Sequence, residues 1–484
     1  MSDDIEKKLE VETQESVSST TSEKFVQSPE EKRLVKKIDK AFIPFVCVVL
    51  FLQFIDKTTI NTAAGLTLLQ DTHITQDQYS WVASIFYLGY LVMQPLNNVL
   101  MQKFPISKYL GAVMVAWGIT LALMSEAKKF ADLAGLRFLL GFFEAVTYPS
   151  IFLLIATLYR RSEQVLWFGI MFMSNSMSTI IGGFIGYGIS HIPTVGTITA
   201  WKWGMIIFGS LTSLAGVVFF FFLPDNPYSR WFHLEDGEKE IIEERTRDNA
   251  VVSTYKLNMS QIYEALREPR FYCYCFVSLL INLQNGALTT FSTIIIKQLG
   301  FNTFEAILLN IPAGVCCIII ICVFVFWNRK TGGILYPAMG AGVCSTIGMI
   351  CLTAIPGGGV KLIGFYLSWG CTALYLLQQA SIAANVSGYT KKIFYTSGNL
   401  VFYTFGNFIG PLMLVAKQQP RYFGAMGGYL GANIVCLILL FYIRWDLVQR
   451  NKRRNADKKH AESSLVDGLE DLTDVQNIHF VYKP

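Results

Sequence analysis

The sequence predicts an all-α membrane protein of twelve transmembrane helices arranged as two six-helix halves. Three observations predict it. Hydrophobic residues make up 52% of the 484 residues and charged residues only 15%, against about 25% charged in ordinary soluble chains. Apolar segments recur along the whole chain, each near the roughly 20 residues that a helix needs to cross a bilayer. One long polar stretch, 224–270, divides them six and six.

The segments are 42–61, 80–100, 108–125, 132–158, 166–190, 201–223, 271–296, 305–327, 333–354, 360–383, 393–416 and 424–443. They imply a disordered cytosolic tail (1–40), an N-terminal half (41–223), a cytosolic central loop (224–270), a C-terminal half (271–443) and a cytosolic tail (444–484). The first tail is rich in Ser, Thr, Glu and Lys, too polar to pack a core, and no cleavable signal peptide is expected there. Pro224 to Pro227 stop the sixth helix. The charged run 235–249 that follows is expected to be helical.

Basic clusters flank the outermost spans: Lys32, Arg33, Lys36, Lys37 and Lys40 before the first, and Arg444, Arg450, Lys452, Arg453 and Arg454 after the last. With Arg230, Arg245, Arg247, Arg267 and Arg270 in the central loop, they place both termini in the cytoplasm. Because the clusters abut membrane spans, nucleic acid is not an expected partner. The sequon Asn258-Met-Ser260 then falls on the cytosolic side and is expected to be unused. The ten cysteines lie mostly in apolar runs and read as small buried residues, with no zinc-type pairing. No Walker A, HExxH or GxSxG pattern is present. An ATP-driven pump and an enzyme are therefore disfavoured, and no metal or cofactor is expected.

Only four charges lie deep within spans: Asp56 and Lys57 in the first, Arg137 and Glu144 in the fourth. A charge at a helix centre costs about 2.5–3.5 kcal/mol on insertion scales, so each must pair or face water. Seven residues make nearly two turns, so Arg137 and Glu144 share a face about 10 Å apart along the axis and need separate partners. Two readings stay open. One is an internal salt-bridge lock between the first and fourth spans. The other is a site in which Lys57 and Arg137 hold an anionic substrate while Asp56 or Glu144 carries the coupling proton. A pair that breaks and re-forms serves both.

The second half carries neutral polar groups instead: Asn282, Gln284 and Asn285 in the seventh span, and Gln378, Gln379 and Asn385 in the tenth. Tyr395, Asn399, Tyr403 and Asn407 form a stripe of four-residue spacing in the eleventh. Such groups either glue helices together or line a cavity. Gln284, Asn285, Gln378, Tyr395, Asn399 and Tyr403 are the candidate substrate contacts. Glycines at Gly182 to Gly188 and at Gly406 and Gly410 occupy corresponding spans of the two halves, as internal repeats would.

Five stretches, Lys37–Ile60, Gln78–Leu100, Leu136–Gln164, Phe221–Pro227 and Asn385–Pro411, together resemble the major facilitator superfamily. Within it the resemblance is to the fungal allantoate permease branch of the anion:cation symporters, over residues 36–445. The resemblance implies the major facilitator fold and a secondary transporter working by alternating access. It also implies proton-coupled uptake of a small organic anion: allantoate, ureidosuccinate, or a vitamin or amino-acid-like carboxylate. The expected setting is a monomer in the plasma membrane, or alternatively a vacuolar or other internal membrane. A uniporter or exporter of a small metabolite, and a non-transporting nutrient sensor, are the alternatives. Three departures from the family pattern stand out. Its first-span Asp-Arg pair is Asp56-Lys57 here, which keeps the charge and loses the bidentate fork. The seventh span lacks a basic residue deep within it. The Gly-x-x-x-Asp-Arg loop after the second span keeps little beyond its basic residues, Lys103 and Lys108.

Overall fold

A computed structural model describes residues 29–484 apart from 160, 195, 197, 227, 233, 236, 243–257, 356–357, 420, 459–471 and 478–479. The twelve spans are Pro29–Gly65, Gln76–Lys103, Ile106–Leu123, Phe130–Glu144 with Thr147–Leu158, Arg161–Ser190, Ala200–Phe222, Pro269–Gln298, Thr303–Leu308 with Ile311–Thr331, Leu335–Ala354, Lys361–Ser368 with Gly370–Asn385, Tyr389–Leu412 and Phe423–Lys458. Helices are the form expected, because a segment in lipid must satisfy its backbone polar groups internally.

Among the described residues, eight spans are long and apolar enough to cross a membrane by length and composition. The second and eleventh carry Gln, Asn, Ser and Gly, which dilute hydropathy, and together they form one of the seams between the halves. The second span packs on the eleventh and the fifth on the eighth. Exchanging the halves converts one seam into the other. Within the halves the third span pairs with the sixth and the ninth with the twelfth, as a repeat requires.

Two spans break where a proline demands it. Pro149 clashes with the carbonyl four residues back, at Ala145, and the fourth span is interrupted at Ala145–Val146. Pro312 acts likewise on Leu308, and the eighth span breaks at Leu309–Asn310. The first break leaves Glu144 in the last turn before the interruption.

The structure redraws the expected domain edges. The first helix begins at Pro29 rather than near 41, and the twelfth runs on to Lys458. At 1.5 Å per residue, the 37 residues of the first helix span about 55 Å, well beyond a hydrocarbon core of about 30 Å. Its protruding end is tied to the central loop through Lys37 Nζ and Glu238 Oε1, 2.7 Å apart. Of the run expected to be helical, 237–242 is helix and Glu235 is not; the rest lies outside the described residues, as do residues 1–28 of the expected first tail.

The halves are joined tightly on the face opposite the termini. Asn61 Nδ2 donates to Ser292 Oγ at 2.6 Å, and Thr293 N donates to Asn61 Oδ1 at 3.0 Å. Tyr79 donates to the Thr290 carbonyl at 2.8 Å and Lys297 to that of Gly65 at 2.9 Å. Gln94 and Thr404 meet midway, at 3.4 Å.

Candidate functional site

The site is assembled by close contact between the second and fourth spans. A Cβ on Gly141 would lie 1.9 Å from the carbonyl oxygen of Phe86, and one on Gly89 would lie 2.0 Å from that of Phe138. Only glycine permits this approach. It sets Arg137 and Glu144 beside Phe86, Tyr87 and Tyr90, with the first span closing the third side.

Lys57 Nζ lies 3.1 Å from Glu144 Oε1, and Gln53 Nε2 donates to the same oxygen at 3.0 Å. Gln53 and Lys57 are one turn apart on the first helix, so one face delivers both. The Lys57 ammonium also sits 5.3 Å from the Phe86 ring centroid and 5.9 Å from those of Tyr87 and Tyr90. This is a cation–π cage that suits a partly desolvated charge. Glu144 is fully buried.

Arg137 is 2% exposed, with its guanidinium 5.9 Å from the Phe86 ring. Among the described residues its Nε and Nη2 have no hydrogen-bond partner. Asp56 points the other way, into the N-terminal half, where Thr212 donates to Oδ2 at 3.0 Å and the Trp117 indole lies alongside. Asp56 Oδ1 and Glu144 Oε2 make no hydrogen bond among the described residues. The four charges thus divide into one direct pair, one carboxylate held by a neutral hydroxyl, and one guanidinium with open donors.

Of the neutral candidates, Tyr403 reaches this region: it is half-buried, its ring lies 5.3 Å from that of Tyr375 at a 35° tilt, and it is an electrostatic neighbour of Tyr87 and Tyr90 across the seam. Asn285 is partly buried and donates to Asn407 Oδ1 at 3.0 Å. The others are engaged with partners within the C-terminal half. Gln284 donates to the Ser368 carbonyl at 2.7 Å and accepts from Asn433 at 2.7 Å. Gln378 donates to the Tyr274 carbonyl at 2.6 Å and to Asn399 Oδ1 at 2.9 Å. Tyr395 donates to Glu268 at the terminus-bearing face. Helix glue accounts for Gln284, whose amide is closed by Ser368 and Asn433; Gln378 Oε1 and Asn399 Nδ2 keep no hydrogen-bond partner among the described residues.

Four residues absent from the sequence-based set join the site: Gln53, Tyr87, Tyr90 and Tyr148, whose hydroxyl accepts from Asn175 at 2.9 Å. Gln53 was visible as a lone amide one turn before Lys57. The tyrosines were masked by their resemblance to ordinary apolar filling. A separate pocket with about 60 Å³ of free space, lined by Thr58, Thr62, Asn61, Ser292 and Asn310 among others, lies nearer the closed face.

Two repeated halves, a closed face and buried charges at their centre define a membrane transporter. The chain belongs to the Major Facilitator Superfamily, whose profile matches residues 46–414, and within it to the fungal allantoate permease branch. An uncharacterised transporter of Schizosaccharomyces pombe is 31% identical over 97% of this chain and 96% of its own length. The allantoate permease of Saccharomyces cerevisiae is 31% identical over 94% of this chain and 87% of its own. The high-affinity nicotinic acid transporter of the same yeast is 28% identical over 96% and 86%. In fold, the inward-open xylose transporter XylE from E. coli superposes with a TM-score of 0.63 at 11% identity, covering 82% of this chain and 95% of that one.

Proposed function

We propose that this chain takes up a small organic anion together with a proton. The observation that carries the reading is the buried Arg137 guanidinium with two open donors, beside a Lys57–Glu144 pair that one proton can open. A carboxylate is the group that such a fork receives best. In the empty site Glu144 holds Lys57. Protonating Glu144 at a carboxylate oxygen removes that attraction, and Lys57 and Arg137 then face the substrate anion together. Loss of the proton restores the pair and expels the anion. Tyr403 and Asn285 add neutral contacts from the other half, and Asp56 tunes the field from behind, as a second proton carrier.

The relatives named for allantoate and nicotinate transport support a carboxylate substrate. The basic flanks support cytoplasmic termini, which makes the closed face external and this arrangement inward-facing. We place the protein in the plasma membrane as a monomer. A growth screen of a deletion strain on single nitrogen, sulfur and vitamin sources identifies the anion, and its labelled form then serves for uptake. Glu144→Gln is expected to abolish the pH dependence of that uptake. Full pH dependence in both Glu144→Gln and Asp56→Asn overturns proton coupling and leaves uniport or export.

A further inference from the structure

Residues 472–477 and 480–484, part of the expected cytosolic tail, are seated on the terminus-bearing face of the C-terminal half. Asp474 is fully buried. It accepts from Lys391 Nζ at 2.8 Å, from Tyr482 Oη at 2.8 Å and from Arg270. Thr473 donates to Glu264 at 3.1 Å, and Ser387 donates to the Leu472 carbonyl at 3.2 Å. Two asparagines read the segment's backbone in both directions. Asn385 donates to the Lys483 carbonyl at 3.0 Å and accepts from Lys483 N at 2.7 Å. Asn451 does the same with Tyr482, at 2.9 and 3.0 Å. The buried Tyr482 ring lies between Arg270 and Arg454, whose guanidinium carbons are 5.2 and 4.7 Å from its centroid. Pro484 reaches Gly333, where a Cβ would come within 2.8 Å of the Pro484 carbonyl oxygen.

We infer that the C-terminal half carries a preformed binding site for a short peptide bearing an aspartate and, eight residues on, a tyrosine. Its occupant here is the chain's own segment 472–484. The site touches the helix before the seventh span, the seventh, tenth, eleventh and twelfth spans, and the turn between the eighth and ninth. One bound segment therefore clamps the half into a single body on its terminus-bearing face. Backbone reading by paired amides gives affinity without regard to sequence, and the aspartate and tyrosine give selectivity. The carboxylates of Glu264, Glu268 and Asp474 lie together, but each already pairs with Lys391 or Arg270, so the cluster is a peptide anchor and not a cation site.

The test uses the full-length chain with a protease site inserted within 459–471, cut after purification in detergent. Fragment 472–484 is expected to stay with the transporter through gel filtration. Prolonged washing should lower the thermal midpoint, and adding synthetic peptide 472–484 should restore it. Peptide carrying Asp474→Asn should bind at least about tenfold more weakly by fluorescence anisotropy, the worth of one charge-assisted hydrogen bond. Peptide carrying Tyr482→Phe should fall between the two. The inference is overturned if the native fragment separates on cutting, or if the Asp474→Asn peptide binds as tightly as the native one. Because every variant is carried by the peptide, failure of a mutant transporter to fold cannot decide the result.

Discussion

Two groups of buried charge, one in each half, are built on opposite rules. In the N-terminal half Lys57 and Glu144 share one contact, Arg137 keeps two open donors, and Asp56 keeps an open acceptor. In the C-terminal half Lys391 meets three carboxylates within 2.8 Å, and Arg270 makes a forked contact to Glu268 as well as reaching Asp474, with its Nη1 left without a partner among the described residues. A buried charge with spare bonding capacity is ready to exchange partners, at the cost of standing under-satisfied. A buried charge paired with several opposite charges holds elements in place, and breaking it is expensive. The contrast separates a site that has to change during transport from one that has to stay.

The largest effect should come from the open donors. Arg137→Gln is expected to cut uptake of the identified anion about a hundredfold, roughly two charge-assisted contacts, while leaving folded yield nearly intact. A collapse of folded yield with normal specific uptake would move Arg137 from the binding role to a structural one. Next, Lys57→Met strands Glu144 in the interior. Loss of one partner from a buried pair costs about 3–5 kcal/mol, which a thermal melt of the purified protein should register, and protonation at acid pH should partly rescue it. If the melt is unchanged, the pair is not holding the first and fourth spans.

A smaller effect tests the scaffold. Gly141→Ala forces the second and fourth spans apart, since its methyl would sit 1.9 Å from a backbone oxygen. Overpacking of this kind costs about 1–3 kcal/mol and should lower uptake by displacing Arg137 and Glu144 from Phe86. Gln284→Leu is expected to cost only about 0.6–1.7 kcal/mol, the measured scale of polar glue between membrane helices, without altering which anions compete for uptake. A shift in that competition profile would return Gln284 to the substrate site.

The least change is expected where the charges are multiply paired. Burial pushes the carboxyls of Asp474 and Glu268 up, but Arg270, with Lys391 beside it, outweighs that and holds both below their ordinary 3.8 and 4.5. A depressed carboxylate contributes stability above its unfolded value and loses it only as pH falls through the lower folded one. Retention of the cut fragment should therefore be flat from about pH 5 to about pH 8 and fail only in stronger acid. A transition inside that range would mean that the clamp itself responds to physiological pH.

Much of the site was legible in the chain because a charge in an apolar run has few explanations. Asp56, Lys57, Arg137 and Glu144 stand out one by one, and helical spacing already excluded a bond between Arg137 and Glu144. That spacing could not show that Glu144 would turn to Lys57 while Asp56 turned away to Thr212, since adjacent residues on a helix point about 100° apart and the neighbours come from other spans. The polar stripe of the eleventh span was legible from its four-residue spacing, but not which of its members meet another helix, because Asn399 and Asn407 look equally suited to a cavity and to a helix contact. The tail was misread for a related reason: Asp474 and Tyr482 fit a polar, unstructured composition until Arg270, Lys391, Asn385 and Asn451 are brought around them.

The sequence by itself determined the number of spans, their division into halves and the confinement of deep charge to the first half. All three follow from the cost of placing polar groups in hydrocarbon, which acts on each segment separately. Only the tertiary structure decided which charges pair, which stay open, which amides serve as glue and where the last residues dock. Those outcomes depend on contacts between residues far apart in the chain, where several partners are chemically equivalent and packing alone selects among them.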